Sequence, residues 1–163
     1  MADNRTESIE KLKSLTEGID FCMLTTMDGG YLRSRPMSTQ EFEFNGDLWF
    51  FTSDNTHKVE ELRKDNRVNV AYSKPDDNTY VSVSGSGEIS KDRAKIEEYW
   101  SPILKAWFPE GLDDPHLCLL KVSVEQAEYW DAPSSKLVQM FGFVKALATG
   151  QEADYGENKK IDF

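Results

Sequence analysis

The stretch from Leu48 to Ser73, LWFFTSDNTHKVEELRKDNRVNVAYS, constrains the fold more than any other part of the chain. Its apolar start predicts a buried strand over residues 48–52, and its end predicts a second strand over residues 68–72. The polar residues between them predict a turn and then a short helix, because the turn offers four side-chain oxygens that can cap a helix and apolar residues follow at three-residue spacing. A helix that begins at a polar turn therefore connects two strands.

The first turn of this helix contains His57 and Lys58. Cations are disfavoured there, because the free backbone N–H groups and the helix dipole already make that end positive. A bound anion resolves the conflict. A phosphate held by backbone N–H groups, by the hydroxyls of Ser53 and Thr56 and by the Lys58 ammonium fits the pattern. An ordinary strand–turn–helix with a solvated lysine remains the alternative on these residues alone.

The length and charge of the chain limit its class. A chain of 163 residues predicts a single domain over 1–163, with a core from about 6 to 150 and a polar tail from 151 to 163. The net charge of −10 argues against nucleic acid or an anionic membrane as partner, since both would repel most of the surface. No apolar run approaches the roughly 20 residues that span a bilayer. We expect a cytoplasmic protein without a membrane partner.

The cysteines and histidines give no metal site. Cys22 and Cys118 each lie inside an apolar run, which predicts buried free thiols in a reducing compartment. The two histidines, His57 and His116, form no cluster with metal-ligand spacing. We therefore expect no metal, and the sequence names no catalytic acid–base pair.

Two tight-turn signals, Asp28-Gly29-Gly30 and Asn45-Gly46, predict β-hairpins. The first joins a strand over residues 21–27 to one that runs through Met37, and the second joins a strand over residues 41–44 to the strand that begins at Leu48. Before them, Thr6 or Asn4 is predicted to cap an N-terminal helix that ends at Gly18.

The strand before Met37 carries unusual charges. Alternation places Arg33, Arg35 and Met37 on one face, and Pro36 marks a sheet edge or bulge because it cannot donate a ladder hydrogen bond. The arginines either lie on an exposed face, or Arg35 recognises an anion or the edge of a flavin.

The second half of the chain predicts further strands and helices. Strands are expected over residues 80–89, where Gly85 and Gly87 indicate a bend or a close backbone approach, and over 117–124 and 127–130. A helix capped by Ser90 and a segment from Pro102 to Trp107 lie between them. The Trp107-Phe108 pair either packs this segment on the sheet or covers a flat ring, and residues 137–148 fit a strand or a helix. The polar residues after 150 predict a flexible tail or a short exposed strand. About seven strands in mostly hairpin order favour an antiparallel barrel with peripheral helices.

Together, the Asp28-Gly29 hairpin, the Arg35-Pro36-Met37 strand, the FFTS-x3-HKVEEL segment, the VSVSG strand and the Tyr129-Trp130 pair resemble the flavin split barrels related to pyridoxamine 5′-phosphate oxidase. The WFPEGLDDP segment followed by LLKVSVEQAEYWDAP is similar to the general stress protein branch of that family. The resemblance covers about residues 6–150. It implies a mainly β fold, an FMN-binding split barrel of antiparallel Greek-key type.

The resemblance also implies a cofactor, a partner and a set of site residues. The cofactor would be FMN, with FAD requiring room beyond the phosphate and a deazaflavin or haem less favoured. The protein would be a homodimer with flavin at the interface, Trp130 coming from the partner subunit and Trp107 contributing in the same way. The implied flavin-binding residues, with Thr56 added by the helix-start argument, are Arg35, Pro36, Met37, Ser38, Phe51, Thr52, Ser53, Thr56, His57, Lys58, Trp107 and Trp130.

Two departures from the oxidases bear on the reaction. They follow their tryptophan with an Arg-x-His motif, whereas this chain reads DAPSSKLVQ after Trp130, and their substrate-side lysine corresponds here to about Gln40. We therefore expect no oxidation of pyridoxine or pyridoxamine phosphate. The resemblance implies a flavin-dependent oxidoreductase connected with stress, whose reductant would be a nicotinamide nucleotide. The alternative is a non-catalytic module that binds flavin or senses redox state.

Overall fold

The computed structural model describes residues 2–39, 44–132, 136–152 and 156–163. Strands dominate this part of the chain, and four α-helices lie around them. The strands are β1 (Phe21–Asp28), β2 (Tyr31–Ser38), β3 (Asp47–Ser53), β4 (Arg67–Lys74), β5 (Thr79–Ser90), β6 (Leu117–Asp131) and β7 (Glu157–Asp162). The helices are α1 (Ala2–Thr16), α2 (His57–Lys64), α3 (Arg93–Tyr99) and α4 (Lys136–Thr149), with 3₁₀ turns at Pro75–Asp77, Pro102–Ala106 and Gly111–Asp113.

The strands form one antiparallel sheet in the order β2-β1-β4-β5-β6-β3, and β7 also pairs with β6. The sheet curls into a half-barrel, so that its two end strands, β2 and β3, come close to each other without forming a ladder. The expected mainly β, antiparallel split barrel with peripheral helices is thereby confirmed. Because the barrel is open between β2 and β3, the residues on those two strands line a gap in its wall.

Two apolar clusters hold the fold together. The first fills the inside of the curled sheet and includes Leu24, Phe50, Val70 and Val83, which are almost fully buried. The second lies on the outer face of β3 and β6, where Phe51, Leu117 and Leu119 pack against Ile96 of α3 and Leu104. Neighbouring residues of β3, Phe50 and Phe51, therefore serve different clusters, because successive side chains of a strand point to opposite faces.

The first predicted hairpin is confirmed. Asp28 pairs with Tyr31, and Gly29 and Gly30 have φ of 56° and 87°. Positive φ at both central residues is what a type I′ turn requires. Pro36 lies on β2, an end strand of the sheet, as its missing N–H predicts.

The bend predicted at Gly85 is also present. The ladder between β5 and β6 shifts register between Ser84 and Gly85, and a Cβ at Gly85 would lie 2.0 Å from the carbonyl oxygen of Ser123. Only glycine allows the two backbones to approach this closely.

Several element boundaries differ from the predictions. Helix α1 begins at Ala2, upstream of both Asn4 and Thr6, because water can solvate the first N–H groups of a surface helix without a side-chain cap. Asp92, and not Ser90, caps α3: its carboxylate accepts hydrogen bonds from the backbone N–H groups of Ala94 and Lys95. The Ser90 hydroxyl instead accepts from the N–H of Asp92.

The end of the chain differs as well. The two strands predicted over 117–124 and 127–130 form one strand, β6, because pairing with β5 and β7 continues past the polar residues at 125 and 126. Residues 137–148 belong to helix α4, and the predicted tail contains strand β7. The strand predicted over 41–44 falls mostly outside the described residues, as does Gln40.

Candidate functional site

A cleft of about 310 Å³ lies where the barrel is open between β2 and β3. Its volume falls at the lower end of the range for small-molecule sites. The lining combines aromatic and aliphatic side chains with a few hydroxyls and one amine, and consists of Phe21, Pro36, Met37, Ser38, Phe51, Thr52, Ser53, Thr56, Lys58, Leu104, Trp107 and Phe108.

Lys58 is the charged residue of the cleft. Its Nζ donates a hydrogen bond of 2.7 Å to Oγ1 of Thr52 at the end of β3. Burial lowers the pKa of Lys58, and the nearby Arg35 guanidinium lowers it further. Within the described parts of the chain, no carboxylate lies within ion-pair distance of this ammonium. The charge of Glu61 raises the pKa of Lys58, but by less than burial and Arg35 lower it. A partly buried cation beside a second cation, with a hydroxyl as its hydrogen-bond partner, is an arrangement that an anion would stabilise.

The start of α2 adds hydrogen-bond donors to the same corner of the cleft. Thr56 occupies the N-cap position with an extended backbone (φ −97°, ψ 155°), yet its side chain makes no capping hydrogen bond. Its hydroxyl donates to the carbonyl oxygen of Ser53 instead, at 3.0 Å. The capping that the turn sequence predicts is therefore not made by Thr56. The N–H of Val59 donates to the carbonyl oxygen of Thr56 at 3.1 Å, and the N–H groups of His57 and Lys58 precede it at the positive end of the helix.

Behind the cleft, Glu61 of α2 organises a buried polar network that sequence reasoning missed. Its carboxylate accepts hydrogen bonds from Thr26 (2.5 Å), Arg35 (2.7 Å) and, more weakly, Arg33 (3.4 Å). Arg35 also donates to Thr26 at 2.8 Å. Burial raises the pKa of Glu61, but the Thr26 hydrogen bond and the Arg35 charge outweigh it, and the net pKa lies below the ordinary value. The carboxylate is therefore ionised and fully partnered.

A signal for Glu61 was present in the sequence. Glu61 follows Lys58 by three residues and precedes the apolar Leu62, so helical spacing places it toward the buried face of α2. Arg33 and Arg35 on β2 indicate that a carboxylate lies opposite them, and Glu61 is the acidic residue on the buried face of α2.

The structure brings most of the predicted site residues together. The cleft is lined by Pro36, Met37, Ser38, Phe51, Thr52, Ser53, Thr56, Lys58 and Trp107. Arg35 lies behind the cleft, with its side chain 14% exposed and bound to Glu61. The His57 side chain points to solvent, 87% exposed, with Nδ1 3.6 Å from the carboxylate of Glu60. Trp130 lies on β6, paired with Tyr80 of β5 and Asn158 of β7, away from this cleft.

An aromatic wall completes the cleft, and the sequence analysis assigned Phe51 and Trp107 to the site but not Phe21 or Phe108. Phe51 packs against Phe108 with ring centroids 6.4 Å apart and meets Trp100 edge-on at 5.7 Å. Phe21 and Leu104 line the same space. Trp107 stays more than half exposed at the rim. Phe108 therefore packs on the sheet while its neighbour Trp107 borders the cleft.

A second polar cluster fixes the turn before α2. The Asp54 carboxylate pairs with Lys91 and lies 2.8 Å from Nδ1 of His116, while the Asp54 N–H donates to the carbonyl oxygen of His116 at 2.9 Å. The hydrogen bonds from Lys91 and then His116 lower the pKa of Asp54. These contacts attach the turn to the residues just before β6 and α3. They fix the backbone that leads into α2 without using residues that line the cleft.

The outer face of the sheet exposes several large apolar side chains. Phe21 and Met23 of β1, Tyr80 of β5 and Trp130 of β6 are each more than two-fifths exposed. A face of this kind commonly contacts another protein surface.

Two further kinds of site are absent from the described part of the chain. No group of three or more His, Cys, Asp or Glu residues that could hold a metal ion occurs among the described residues. In the same residues, no helix combines the length and the apolar character that crossing a membrane requires.

Comparison with known proteins identifies the family. Residues 7–154 match the family model described as pyridoxamine 5′-phosphate oxidase like. Among curated proteins, Protein bli-3 of Neurospora crassa is 28% identical over 166 residues, which cover 95% of this chain and 79% of that protein.

Solved structures agree with this assignment. A protein assigned as general stress protein 26 of Jannaschia sp. is 26% identical with a TM-score of 0.74, covering 98% of this chain and 99% of the other. The general stress FMN/FAD binding protein of Xanthomonas citri is 32% identical with a TM-score of 0.69, covering 80% of this chain and 92% of the other. Both resemble this chain through the same half-barrel. The chain belongs to the pyridoxamine 5′-phosphate oxidase-like family, in its general stress protein branch.

Proposed function

We propose that the protein binds FMN non-covalently in the cleft between β2 and β3. The observation that carries the proposal is Lys58, an ammonium whose pKa is lowered by burial and by Arg35 and which has no acidic partner among the described residues. A phosphate at the start of α2 would supply that partner. The flavin-binding relative from Xanthomonas citri supports a flavin as the ligand.

Other residues of the cleft have roles that follow from their chemistry. The hydroxyls of Ser53 and Thr56 and the first N–H groups of α2 would accompany Lys58 at the phosphate. Pro36, Met37 and Phe51 would pack against the flat, largely apolar ring, and Ser38 would offer a hydroxyl to its polar edge. Arg35, held by Glu61, contributes its charge from behind the cleft, and His57 would reach the phosphate only after its side chain turns from its solvent-facing position.

We propose further that the protein is a homodimer with flavin at the interface. The exposed apolar face of Phe21, Met23, Tyr80 and Trp130 supports an interface, and the cleft beside Phe21 is continuous with it. Trp130 lies away from the cleft of its own subunit, which supports its contributing to the site of the partner.

For the reaction, we propose a flavin-dependent oxidoreductase, with a nicotinamide nucleotide as reductant, that works in the cytoplasm under stress. The bound flavin would supply the electron-transfer chemistry. The protein would orient it, shield it with Trp107 and Phe108, and hold positive charge near it through Lys58 and Arg35. Both free thiols are buried, with pKa values raised to about 12 at Cys22 and about 11 at Cys118, so they would not compete as nucleophiles.

We do not propose oxidation of pyridoxine or pyridoxamine phosphate. Such a substrate would bring a second phosphate, which needs a further cation. Arg33, the other cationic residue of β2, is already paired with Glu61 at 3.4 Å and with Asp28 at 3.8 Å. Lys58 and Arg35 are already used in the FMN proposal.

The decisive experiment for the cofactor is purification followed by heat release of the chromophore. We expect a yellow protein that releases FMN, and reconstitution of stripped protein by FMN more tightly than by FAD. A colourless protein that does not take up added FMN would contradict the proposal.

Anaerobic mixing of the FMN-loaded protein with NADH or NADPH distinguishes the oxidoreductase from the non-catalytic flavin-binding module. Reduction of the flavin followed by turnover with an acceptor supports the oxidoreductase. A flavin that neither nucleotide reduces supports the second candidate, a flavin-binding or redox-sensing module, which the family resemblance leaves open. Incubation with pyridoxamine phosphate in air should give no sustained formation of pyridoxal phosphate and peroxide.

A further inference from the structure

Helix α4 presents an apolar stripe to solvent. Met140, Phe143, Val144 and Leu147 follow the i, i+3, i+4, i+7 spacing of one helix face. Their side chains are 60, 53, 57 and 71% exposed. Single exposed apolar residues are common on protein surfaces, but four on one face over two helical turns indicate a surface that another element covers.

The charge of α4 restricts what can cover this stripe. The helix sequence KLVQMFGFVKALAT contains Lys136 and Lys145 and no acidic residue, whereas the whole chain carries a net charge of −10. Helix α4 is therefore a basic, apolar element of an acidic protein. A complementary surface would be apolar and acidic.

The rim of the cleft, residues 102–114, borders it through Leu104, Trp107 and Phe108 and has these properties. In the segment of residues 102–114, Ile103 and Trp107 are 70 and 53% exposed. The acidic residues Glu110, Asp113 and Asp114 belong to the same segment, with Lys105 its one basic residue. The stripe of α4 remains exposed within a single subunit, so this rim does not cover it there. A second copy of the chain carries the same rim, with Ile103 and Trp107 exposed and able to contact α4.

We propose that α4 of one subunit docks its apolar stripe on the Ile103–Trp107 rim of the second subunit and covers that subunit's cleft. The inference rests on the proposed flavin-binding homodimer and extends it. A two-fold arrangement makes the contact twice, since each helix then covers the site of the other subunit. The consequence for function is exclusion of water from the cleft, where Lys58 is already partly buried.

A pair of matched substitutions in α4 tests the contact. Leu147→Asp places a charge on the stripe, whereas Thr149→Asp places the same charge about half a turn away on the other side of the helix. We expect Leu147→Asp to shift the protein from dimer toward monomer in sedimentation and to weaken FMN binding at least tenfold. Thr149→Asp should leave both close to the wild type. A Leu147→Asp protein that stays dimeric and binds FMN normally would overturn the proposal.

A cross-linking experiment covers the case in which Leu147→Asp fails to fold. Proteins carrying Leu147→Cys and Ile103→Cys are made with tags of different size, mixed without flavin and treated with a short bismaleimide. The native Cys22 and Cys118 are buried and should not react. We expect a covalent heterodimer, in larger amount than either variant forms alone. A flavin-free protein that cross-links in this way but binds no FMN would contradict the proposed function and leave the α4 contact supported.

Two results would contradict the contact between α4 and the rim of the second subunit. A wild-type protein that sediments as a monomer would overturn it. So would a protein carrying both Leu147→Cys and Ile103→Cys that cross-links only within one chain. Binding of wild-type protein to anionic lipid vesicles that Leu147→Asp abolishes, without any cross-link between chains, would assign the stripe to a membrane surface instead.

Discussion

Two charged side chains on the inward side of α2, Glu61 and Lys58, lie in opposite electrostatic environments. Glu61 has three hydrogen-bond donors and lies between two arginines, whereas Lys58, three residues earlier, has one hydroxyl and a neighbouring cation. Both pKa values are lowered, but for opposite reasons: the folded state favours the charged form of Glu61 and disfavours the charged form of Lys58. The first pattern stabilises the fold, and the second is one that a bound anion would stabilise.

The largest expected effect is on stability, through Glu61→Gln. Removing the carboxylate leaves Arg35 uncompensated, while Arg33 keeps Asp28, and costs roughly 3 kcal/mol, toward the low end of the usual range because Arg33 is half exposed. Urea denaturation measures the loss. Glu60→Gln, an exposed neighbour with its side chain 67% exposed, is the control and should stay close to the wild type.

The same pair of variants has a pH signature. Because the pKa of Glu61 is lowered from 4.5 in the folded protein, its contribution is complete above 4.5 and is lost as the pH falls through the lowered value. Glu61→Gln should therefore lose less stability than the wild type over that acid range. If Glu61→Gln loses stability in acid as steeply as the wild type, the carboxylate of Glu61 is not the group that titrates over this range.

The next effect is on ligand affinity, through Lys58→Ala. Loss of a charge-assisted hydrogen bond to the phosphate should weaken FMN binding by about 1.5–3 kcal/mol, which is roughly 10- to 150-fold. The stability of the flavin-free protein should barely fall, in contrast to Glu61→Gln, because no carboxylate of the described residues lies within ion-pair distance of the partly buried ammonium. Lys64→Ala, an exposed lysine in the last turn of α2, is the matched control. Fluorescence titration of FMN decides between them.

A smaller effect concerns proton linkage at Lys58. Its pKa lies below the ordinary 10.5 in the free protein, and a bound phosphate should raise it. Between the two pKa values, binding then takes up a proton, so FMN affinity should fall as the pH rises through that window, by no more than about tenfold per pH unit. Calorimetry in buffers of different ionisation enthalpy detects the proton. Lys58→Ala should abolish the uptake, and its persistence in that variant would assign it to another group.

The smallest effect is expected for His57→Ala. The side chain of His57 is 87% exposed and faces Glu60, so both stability and FMN affinity should change less than about twofold in equilibrium constant. A large loss of affinity would mean that His57 turns toward the phosphate on binding, as the family resemblance implies. The titration used for Lys58→Ala measures it directly.

Local patterns in the sequence predicted much of this structure. The Asp28-Gly29-Gly30 turn, the edge position of Pro36 and the close approach at Gly85 follow from properties of single residues, and each is present. The contiguous strand, polar turn and helix start predicted three cleft-lining residues, Ser53, Thr56 and Lys58, and the family resemblance added Phe51 and Thr52.

What the sequence did not predict depends on contacts between distant residues. Glu61 meets Arg35 and Thr26 only after β1, β2 and α2 assemble, and Phe108 reaches Phe51 only after the segment following α3 folds back on the sheet. The continuous β6 was missed for a related reason. Its polar middle looks like a break until β7, about thirty residues later, pairs with its second half.

Strand β7 also protects the molecule from unwanted association. One edge of β6 is occupied by β5 along its length, while the other is shared end to end by β3, at Leu117–Ser123, and β7, at Gln126–Asp131. Without β7, the backbone N–H and C=O groups of Gln126–Asp131 would form an open template for a foreign strand, beside the exposed ring of Trp130. By occupying this edge, the polar, lysine-containing ENKKID strand reduces the tendency of the protein to aggregate edge to edge.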